Sequence, residues 1–449
     1  MKNLDKIFNP KSIALIGATD RKGSVGLSIC KNLLSGEDKR KIFFVNPKQK
    51  KILKRKAYSK INSINQNIDL AIIAVPAKIV PKIAKECAEK GVGGVIIISA
   101  GFAETGKKGE KKQEKVAQIF KKAKIPLIGP NCLGVIVPLL KLNATFALAT
   151  PSSGSVAFVS QSGALIDSVI DKAELENYGF SSIVSFGNHA DVDISDIINY
   201  LDKDKNTKAI ALYIEGIQKG RKFIKIAKKV AKNTPIIVLK AGISKAGKRA
   251  VSSHTGSLAG DPQIYSAAFK KARVFQVETL EELLSVSLGL SWVKPINNGI
   301  GIVTNGGGFG VIITDWCERL KVKLPKLSKT SIKKLENSKI MNPAFSRSNP
   351  LDIVGDALAN RYKLAIETIL SQKNINGLII VQTPQRMTKP KENAKVIIEA
   401  SKKWKNKAII ACFVGGKLTK PGIDLLEKHQ IPNYSEPKQA VLTIKGLIK

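Results

Sequence analysis

The sequence predicts an α/β protein built from parallel, doubly wound sheets, and two observations carry that expectation. Short, near-continuous apolar runs, such as residues 12–17, 41–45, 69–76 and 208–215, alternate with amphipathic stretches, such as 80–90 and 113–123. That is the pattern of strands buried on both faces with helices between them. Several of the runs end in glycine- or serine-rich turns, at 17–26, 160–163 and 305–310. In open sheets of this kind ligands bind beyond the carboxyl ends of the strands.

Composition narrows the class. A chain of 449 residues has room for two to four domains. Its 43% hydrophobic and 24% charged residues suit a globular protein. No apolar run approaches the ~20 residues of a membrane-spanning helix. The first ten residues lack the apolar core of a signal peptide, so a cytoplasmic location is expected. The five cysteines, Cys30, Cys87, Cys132, Cys317 and Cys412, show no CxxC spacing and read as reduced thiols. The net charge of +39 raises the question of nucleic acid. The lysines are spread along the chain, aromatics are only 6% and no zinc-finger, RRM or KH signature is present. A dedicated nucleic-acid role is therefore not expected, and the field favours small polyanionic substrates.

In the first third, the run 12–17 leads into Gly17, Gly23 and Gly26 and then a helical stretch from Leu27. Strand, glycine turn and helix together cradle phosphate. The spacing G-x5-G-x2-G departs from the dinucleotide fingerprint. The second strand, 41–45, ends in Asn46-Pro47-Lys48, where an NAD enzyme carries an acid. A lysine there suits a ribose phosphate, hence NADP or coenzyme A, or else the segment is an ordinary turn. The strand ends at 17–26, 46–48, Val75-Pro76, 99–104 and 129–134 converge on one crevice.

A turn-rich break at 151–154 opens a second sheet. Strand 155–160 runs into Ser160-Gln161-Ser162-Gly163 at the head of a helix over 164–172. Such a start is an anion site or a simple serine cap. Strand 180–187 leads to His189, Asp191 and Asp193, and the two acids are expected to cap the helix over 194–201. Strand 208–215 ends in Glu215, and strand 235–242 leads to a loop holding His254. One of three histidines, His254 stands among Ser252, Ser253, Gly256 and Ser257. It is either a surface-loop residue or a nucleophile that takes a phosphoryl group while Glu215 orients its ring. Residues 160–163, Glu215 and His254 all fall at one end of one sheet. The last third repeats the logic: strand 299–305, then Gly306, Gly307 and Gly308 opening a helix over 311–320, then strands at 377–383 and 407–413. His429, at a helix end, suits the helix dipole.

Taken in order, these motifs resemble a known family. They are Ala-Leu-Ile-Gly-Ala-Thr at 14–19 with Gly23 and Gly26, Val-Asn-Pro-Lys at 45–48, Gly-Pro-Asn-Cys-Leu-Gly at 129–134 and Val-Ser-Gln-Ser-Gly at 159–163. Ser-Phe-Gly-Asn at 185–188, Ile-Glu-Gly at 214–216, Ser-His-Thr-Gly-Ser-Leu-Ala-Gly at 253–260, Asn-Gly-Gly-Gly at 305–308 and Asn-Pro-Leu-Asp at 349–352 complete the set. The chain is similar to the alpha subunit of ADP-forming acetyl-CoA synthetase, in the succinyl-CoA synthetase superfamily. The resemblance implies a Rossmann-like CoA-binding domain over 1–148 and two flavodoxin-like ligase domains over 151–290 and 298–449. It implies a relay: phosphate converts acyl-CoA to an acyl phosphate, His254 takes the phosphoryl group with Glu215 as its orienter, and ADP receives it. Ser160, Gln161, Ser162 and Gly163, with Gly306, Gly307 and Gly308, would form two phosphate-binding helix starts. Gly17, Gly23, Ser24, Gly26, Lys48, Val75, Pro76 and Asn131 would line the CoA crevice. No metal is expected on this chain. Mg²⁺ and ADP or ATP would sit on a separate ATP-grasp beta subunit, since no such module follows before Lys449, and an α2β2 assembly would result. The alternative is a non-catalytic acyl-CoA-binding regulatory module on the same fold. An NADP oxidoreductase is disfavoured by the glycine spacing.

Overall fold

The computed structural model describes residues 2–176, 178–255 and 260–449, with only the backbone of residues 175 and 252–255. The described chain divides into two compact units, Met1–Leu283 and Leu284–Lys449. No described helix is long and apolar enough to cross a membrane.

The first unit begins with α1 (Asp5–Phe8), β1 (Ser12–Ile16), α2 (Val25–Leu34), β2 (Lys41–Val45), β3 (Lys51–Ile52), β4 (Arg55–Tyr58) and β5 (Leu70–Ile73). It continues with α3 (Val80–Lys90), β6 (Gly94–Ile97), α4 (Lys107–Lys122) and β7 (Leu127–Ile128). The strands form a sheet of order β3-β4-β2-β1-β5-β6-β7, parallel apart from β3. The order reverses at β1, which is where a crevice opens beyond the strand ends. β1 and β5 are buried along their whole length, so they read as unbroken apolar runs and not as alternating ones.

The chain then forms the hairpin β8 (Gly134–Val137) and β9 (Leu142–Thr145), followed by β10 (Ser153–Ser160), α5 (Gly163–Leu175), β11 (Phe180–Ser185), α6 (Ile194–Leu201) and β12 (Ala209–Ile214). Next come α7 (Gly220–Val230), β13 (Ile236–Lys240), α8 (Lys245–Thr255), α9 (Pro262–Ala272), β14 (Phe275–Val277) and α10 (Leu280–Trp292). The second sheet has the order β14-β13-β12-β10-β11-β8-β9. Its strands are parallel except for the hairpin, which joins antiparallel to β11.

The hairpin differs from the expected boundary near residue 148. By hydrogen bonding it belongs to the second sheet; by packing it also belongs to the first. The Asn32 side-chain amide on α2 donates to the carbonyl oxygens of Thr145 (3.0 Å) and Ala147 (2.9 Å). The Arg40 guanidinium holds Leu140 O and Lys141 O. One continuous core runs from Ile29 and Leu33 through Val135 and Ala144 to Val159 and Val184.

A second difference concerns His254, which was expected on a loop. The turn after β13 is short, and α8 carries the chain through that position. Ser244 starts it, its hydroxyl accepting from Gly247 N at 3.0 Å, and apart from Gly247 its first turns hold Lys, Ala and Arg, all good helix formers.

The second unit holds β15 (Ile300–Thr304), α11 (Gly307–Arg319), α12 (Lys329–Glu336), β16 (Leu351–Asp352), α13 (Ala359–Leu370) and β17 (Gly377–Gln382). α14 (Pro390–Lys403), β18 (Ala408–Phe413), α15 (Lys420–Lys428) and α16 (Pro437–Leu447) complete it. Its parallel sheet has the order β16-β15-β17-β18.

Candidate active site

The first sheet builds a cleft at the reversal point. Gly17 has φ +98°, and a Cβ there would lie 2.2 Å from Ala74 O, so only glycine fits. A Cβ on Gly26 would lie 2.4 Å from Gly17 O, so α2 seats directly on the turn. Ser24 caps that helix: its Oγ accepts from Leu27 N at 3.3 Å and donates to Arg21 O at 2.7 Å. The cleft beyond these strand ends has a volume of about 800 Å³ and is lined by Gly17, Lys48, Val75 and Pro76 among others. That is the size of a small-ligand or cofactor pocket. Arg21, Lys60 and Lys82 also line it, against one acid, Glu86. Sequence reasoning missed these three cations. Lys82 lies early in α3 and Lys60 beyond β4, so only the fold brings them to the β1 end. Gly23, Ser24 and Gly26 shape the adjoining turn without lining the cleft, and Asn131 stands apart from it. The amide of Asn46 is turned inward, bonding Ala18 O (2.8 Å) and accepting from Lys48 N (2.8 Å). It thereby fixes the turn that presents Lys48.

Asn131 (φ +57°) belongs to a polar network between the first two sheets. Its amide donates to Asn188 Oδ1 at 3.3 Å, and Asn188 donates to Glu104 Oε2 at 2.6 Å. Glu104 Oε1 accepts from the Gly101 and Phe102 N–H groups. Burial opposes ionisation of Glu104, but these hydrogen bonds outweigh it and hold the carboxyl below its ordinary range.

At the second sheet, Ser160 is fully buried and its hydroxyl closes the turn, accepting from Ser162 N (3.0 Å) and donating to Ser162 O (2.8 Å). Ser162 caps α5, whose first residue is Gly163. The Gln161 side chain reaches the end of the neighbouring strand β12. Its Oε1 accepts from Glu215 N and from Gly216 N, the latter at 2.9 Å. Glu215 is 5% exposed. Behind it stands Lys240, 4% exposed, whose ammonium donates to Glu215 O at 2.8 Å and to Ala241 O. That ammonium also sits 4.5 Å over the Tyr265 ring. Burial pushes the Lys240 pKa down, while the charge of Glu215 opposes the shift. Tyr265 in turn accepts from Ile217 N at 3.0 Å. Lys240 and Tyr265 were not legible as site residues. The one signal was a lysine ending an otherwise apolar strand. The His254 side chain lies outside the described residues.

Nearby, His189 (φ +44°) packs 5.8 Å from the Phe186 ring, and burial lowers its pKa against the pull of Asp193. Asp193 caps α6 with a capping box and binds Lys222. Asp191 does not share that role: it accepts from Leu127 N at 3.1 Å and pairs with Lys2.

The second unit repeats the turn. Thr304 Oγ1 accepts from Gly306 N (3.0 Å) and donates to Gly306 O (2.9 Å). Asn305 reaches across to Thr383, accepting from its N–H at 2.7 Å and donating to its carbonyl at 3.1 Å. Gly306 stands at the N-cap of α11, and Gly307 and Gly308 are exposed in its first turn. A Cβ on Gly307 would lie 2.8 Å from Asp352 Oδ2, so a carboxylate borders this helix start.

Two family models match the chain: a CoA binding domain over residues 11–138 and a succinyl-CoA ligase-like flavodoxin domain over 153–289. The alpha subunit of acetate–CoA ligase (ADP-forming) II from Pyrococcus furiosus is 40% identical over 99% of this chain and 97% of its own length. The chain belongs to the family of ADP-forming acetate–CoA ligase alpha subunits. The acetate–CoA ligase (ADP-forming) of Methanocaldococcus jannaschii is 45% identical over 99% of this chain, which spans only 63% of that enzyme. Among solved structures, the dinucleotide forming acetyl-coenzyme A synthetase 1 of Ca. Korarchaeum cryptofilum, in complex with phosphate and ADP, is 34% identical with a TM-score of 0.93. That match covers 100% of this chain and 96% of the other. Family and structure agree on the architecture expected from sequence: parallel-sheet α/β, with a CoA-binding domain ahead of a ligase-type flavodoxin domain.

Proposed function

We propose that the chain is the alpha subunit of an ADP-forming acetate–CoA ligase, which interconverts acyl-CoA, ADP and phosphate with a carboxylic acid, CoA and ATP. The observation that carries this reading is the buried Glu215, bound through its backbone to the turn at the head of α5. A carboxylate and an anion-ready helix start thus lie at neighbouring strand ends, those of β12 and β10. The acyl-CoA occupies the first-sheet cleft, where Lys48, Arg21, Lys60 and Lys82 meet its phosphates. A phosphate oxygen attacks the acyl carbonyl and the CoA thiolate leaves, giving an acyl phosphate. The free N–H groups at the start of α5 hold the phosphate. The His254 imidazole then attacks phosphorus and the carboxylate departs. Glu215 orients the ring by accepting from its other nitrogen. Phosphoryl transfer asks mainly for positioning and charge stabilisation, and the adjacent ends of β10 and β12 would supply both.

Among the described residues no three His, Cys, Asp or Glu side chains gather where they could hold a metal ion. Mg²⁺ and ADP are assigned to an ATP-grasp partner on a separate chain, in an α2β2 assembly located in the cytoplasm; that the Pyrococcus furiosus relative is named an alpha subunit supports a second subunit. The test uses labelled phosphate and acetyl-CoA. Wild-type chain is expected to acquire acid-labile phosphate that His254→Asn cannot acquire, and to make ATP only once the ATP-grasp chain is added. ATP synthesis by His254→Asn at the wild-type rate would sink the proposal.

A further inference from the structure

Glu215 and the turn that opens α5 are joined by a single side chain. Gln161 Oε1 takes two donors, the N–H groups of Glu215 and Gly216. The opposite end of the same residue is also held, since Lys240 Nζ donates to Glu215 O at 2.8 Å. Neither bond uses the Glu215 carboxylate. The backbone of Glu215 is thus fixed at both its N–H and its carbonyl. The turn itself is rigid, because the buried Ser160 hydroxyl closes it on Ser162.

The second unit shows that this is a construction and not an accident of one loop. Thr304 closes the same turn, and Asn305, the residue after it, bonds across to Thr383 on the neighbouring strand end. In both units an amide one residue past the strand sets the helix start against the adjacent strand. Only in the second sheet does that neighbour carry a carboxylate.

We propose that Gln161 is a positioning residue of the phosphoryl relay: it holds Glu215 at a fixed distance from the anion cradle at the head of α5. This rests on the function proposed above and assigns Gln161 a role different from direct phosphate contact. Without the brace, the N–H groups of the buried Glu215 and the half-buried Gly216 lose their acceptor and the strand end moves to find another.

The experiment labels the full-length chain from acetyl phosphate; the imidazole attacks phosphorus and acetate leaves, so no partner is required. Gln161→Met keeps the length of the side chain and removes the acceptor, whereas Gln161→Glu keeps an acceptor oxygen. CoA affinity, read at the separate first-sheet cleft, reports whether each variant is folded. Gln161→Met is expected to label about tenfold to a hundredfold more slowly with CoA affinity unchanged, the scale of loss for a misplaced orienting group. Gln161→Glu is expected to recover most of the rate. Wild-type labelling by Gln161→Met overturns the proposal. Equal loss in both variants also overturns it, since the amide N–H would then be the working group. Joint loss of labelling and CoA binding makes the residue structural and ends the positioning role. A wild-type chain that takes no label at all overturns the phosphohistidine reading instead, and the positioning role falls with it.

Discussion

Gly17 has no room for a side chain, and the first prediction concerns it. Gly17→Ala would force a Cβ into Ala74 O at a φ of +98°. It is expected to cost about 1–3 kcal/mol in a urea melt, the range for a strained backbone position or an overpacked contact, and to weaken CoA binding. Lys48 is exposed at the cleft mouth. Reversing it in Lys48→Glu is expected to weaken CoA about tenfold at low salt, and the difference should shrink as ionic strength rises, which calorimetric titration would measure. Glu104 gives a pH-dependent expectation. Its folded pKa is depressed, so its stabilising contribution is present above the unfolded value of about 4.3 and is lost as pH falls through the folded value. Glu104→Gln is expected to melt below wild type at pH 7, with the gap closing below about pH 4.

At the scale of elements, the β8–β9 hairpin is the most informative. Its strand partner is β11, while its outer face packs against α2 and Arg40. A fragment ending at residue 148 therefore keeps the packing and loses the ladder. It is expected to aggregate, whereas a fragment of residues 1–283 should melt cooperatively and bind CoA. Circular dichroism with CoA titration would compare them. Helix α6 offers a second case. Asp193 both caps it and binds Lys222, so Asp193→Ala is expected to cost about 1–2 kcal/mol, at the upper end for a lost cap.

At the scale of the whole molecule, the charge of +39 dominates. The salt bridges observed among the described residues involve only some of the cations, and several of them, such as those made by Lys219, Lys363 and Lys403, use lysines that are largely exposed. Such a surface repels itself in the compact state. The thermal midpoint is expected to rise as salt is increased from about 0.01 M to 0.15 M, where the Debye length falls from roughly 30 Å to 8 Å. Scanning calorimetry across that range would show no change if the charge were locally balanced.

The sequence by itself determined the central parallel strands, the helices Val80–Lys90 and Ile194–Leu201, and the glycine and serine turns at strand ends, because these follow from local periodicity and local backbone demands; the short edge strands and the β8–β9 hairpin are not among them. It also marked Glu215, at the end of an apolar run, and Ser162, ahead of a helix. Tertiary structure decided the rest. Lys240 and Tyr265 lie far from Glu215 along the chain and reach it only through the parallel order of β10, β12 and β13. Gln161 looked like a phosphate ligand because its neighbours are small and polar; where its side chain goes depends on an adjacent strand more than fifty residues away. The hairpin was not read as strands, and its residues fell within the domain expected over 1–148, because sequence shows chain order, while strand pairing is a contact between distant residues. Periodicity is encoded in neighbours along the chain, and pairing and burial are not.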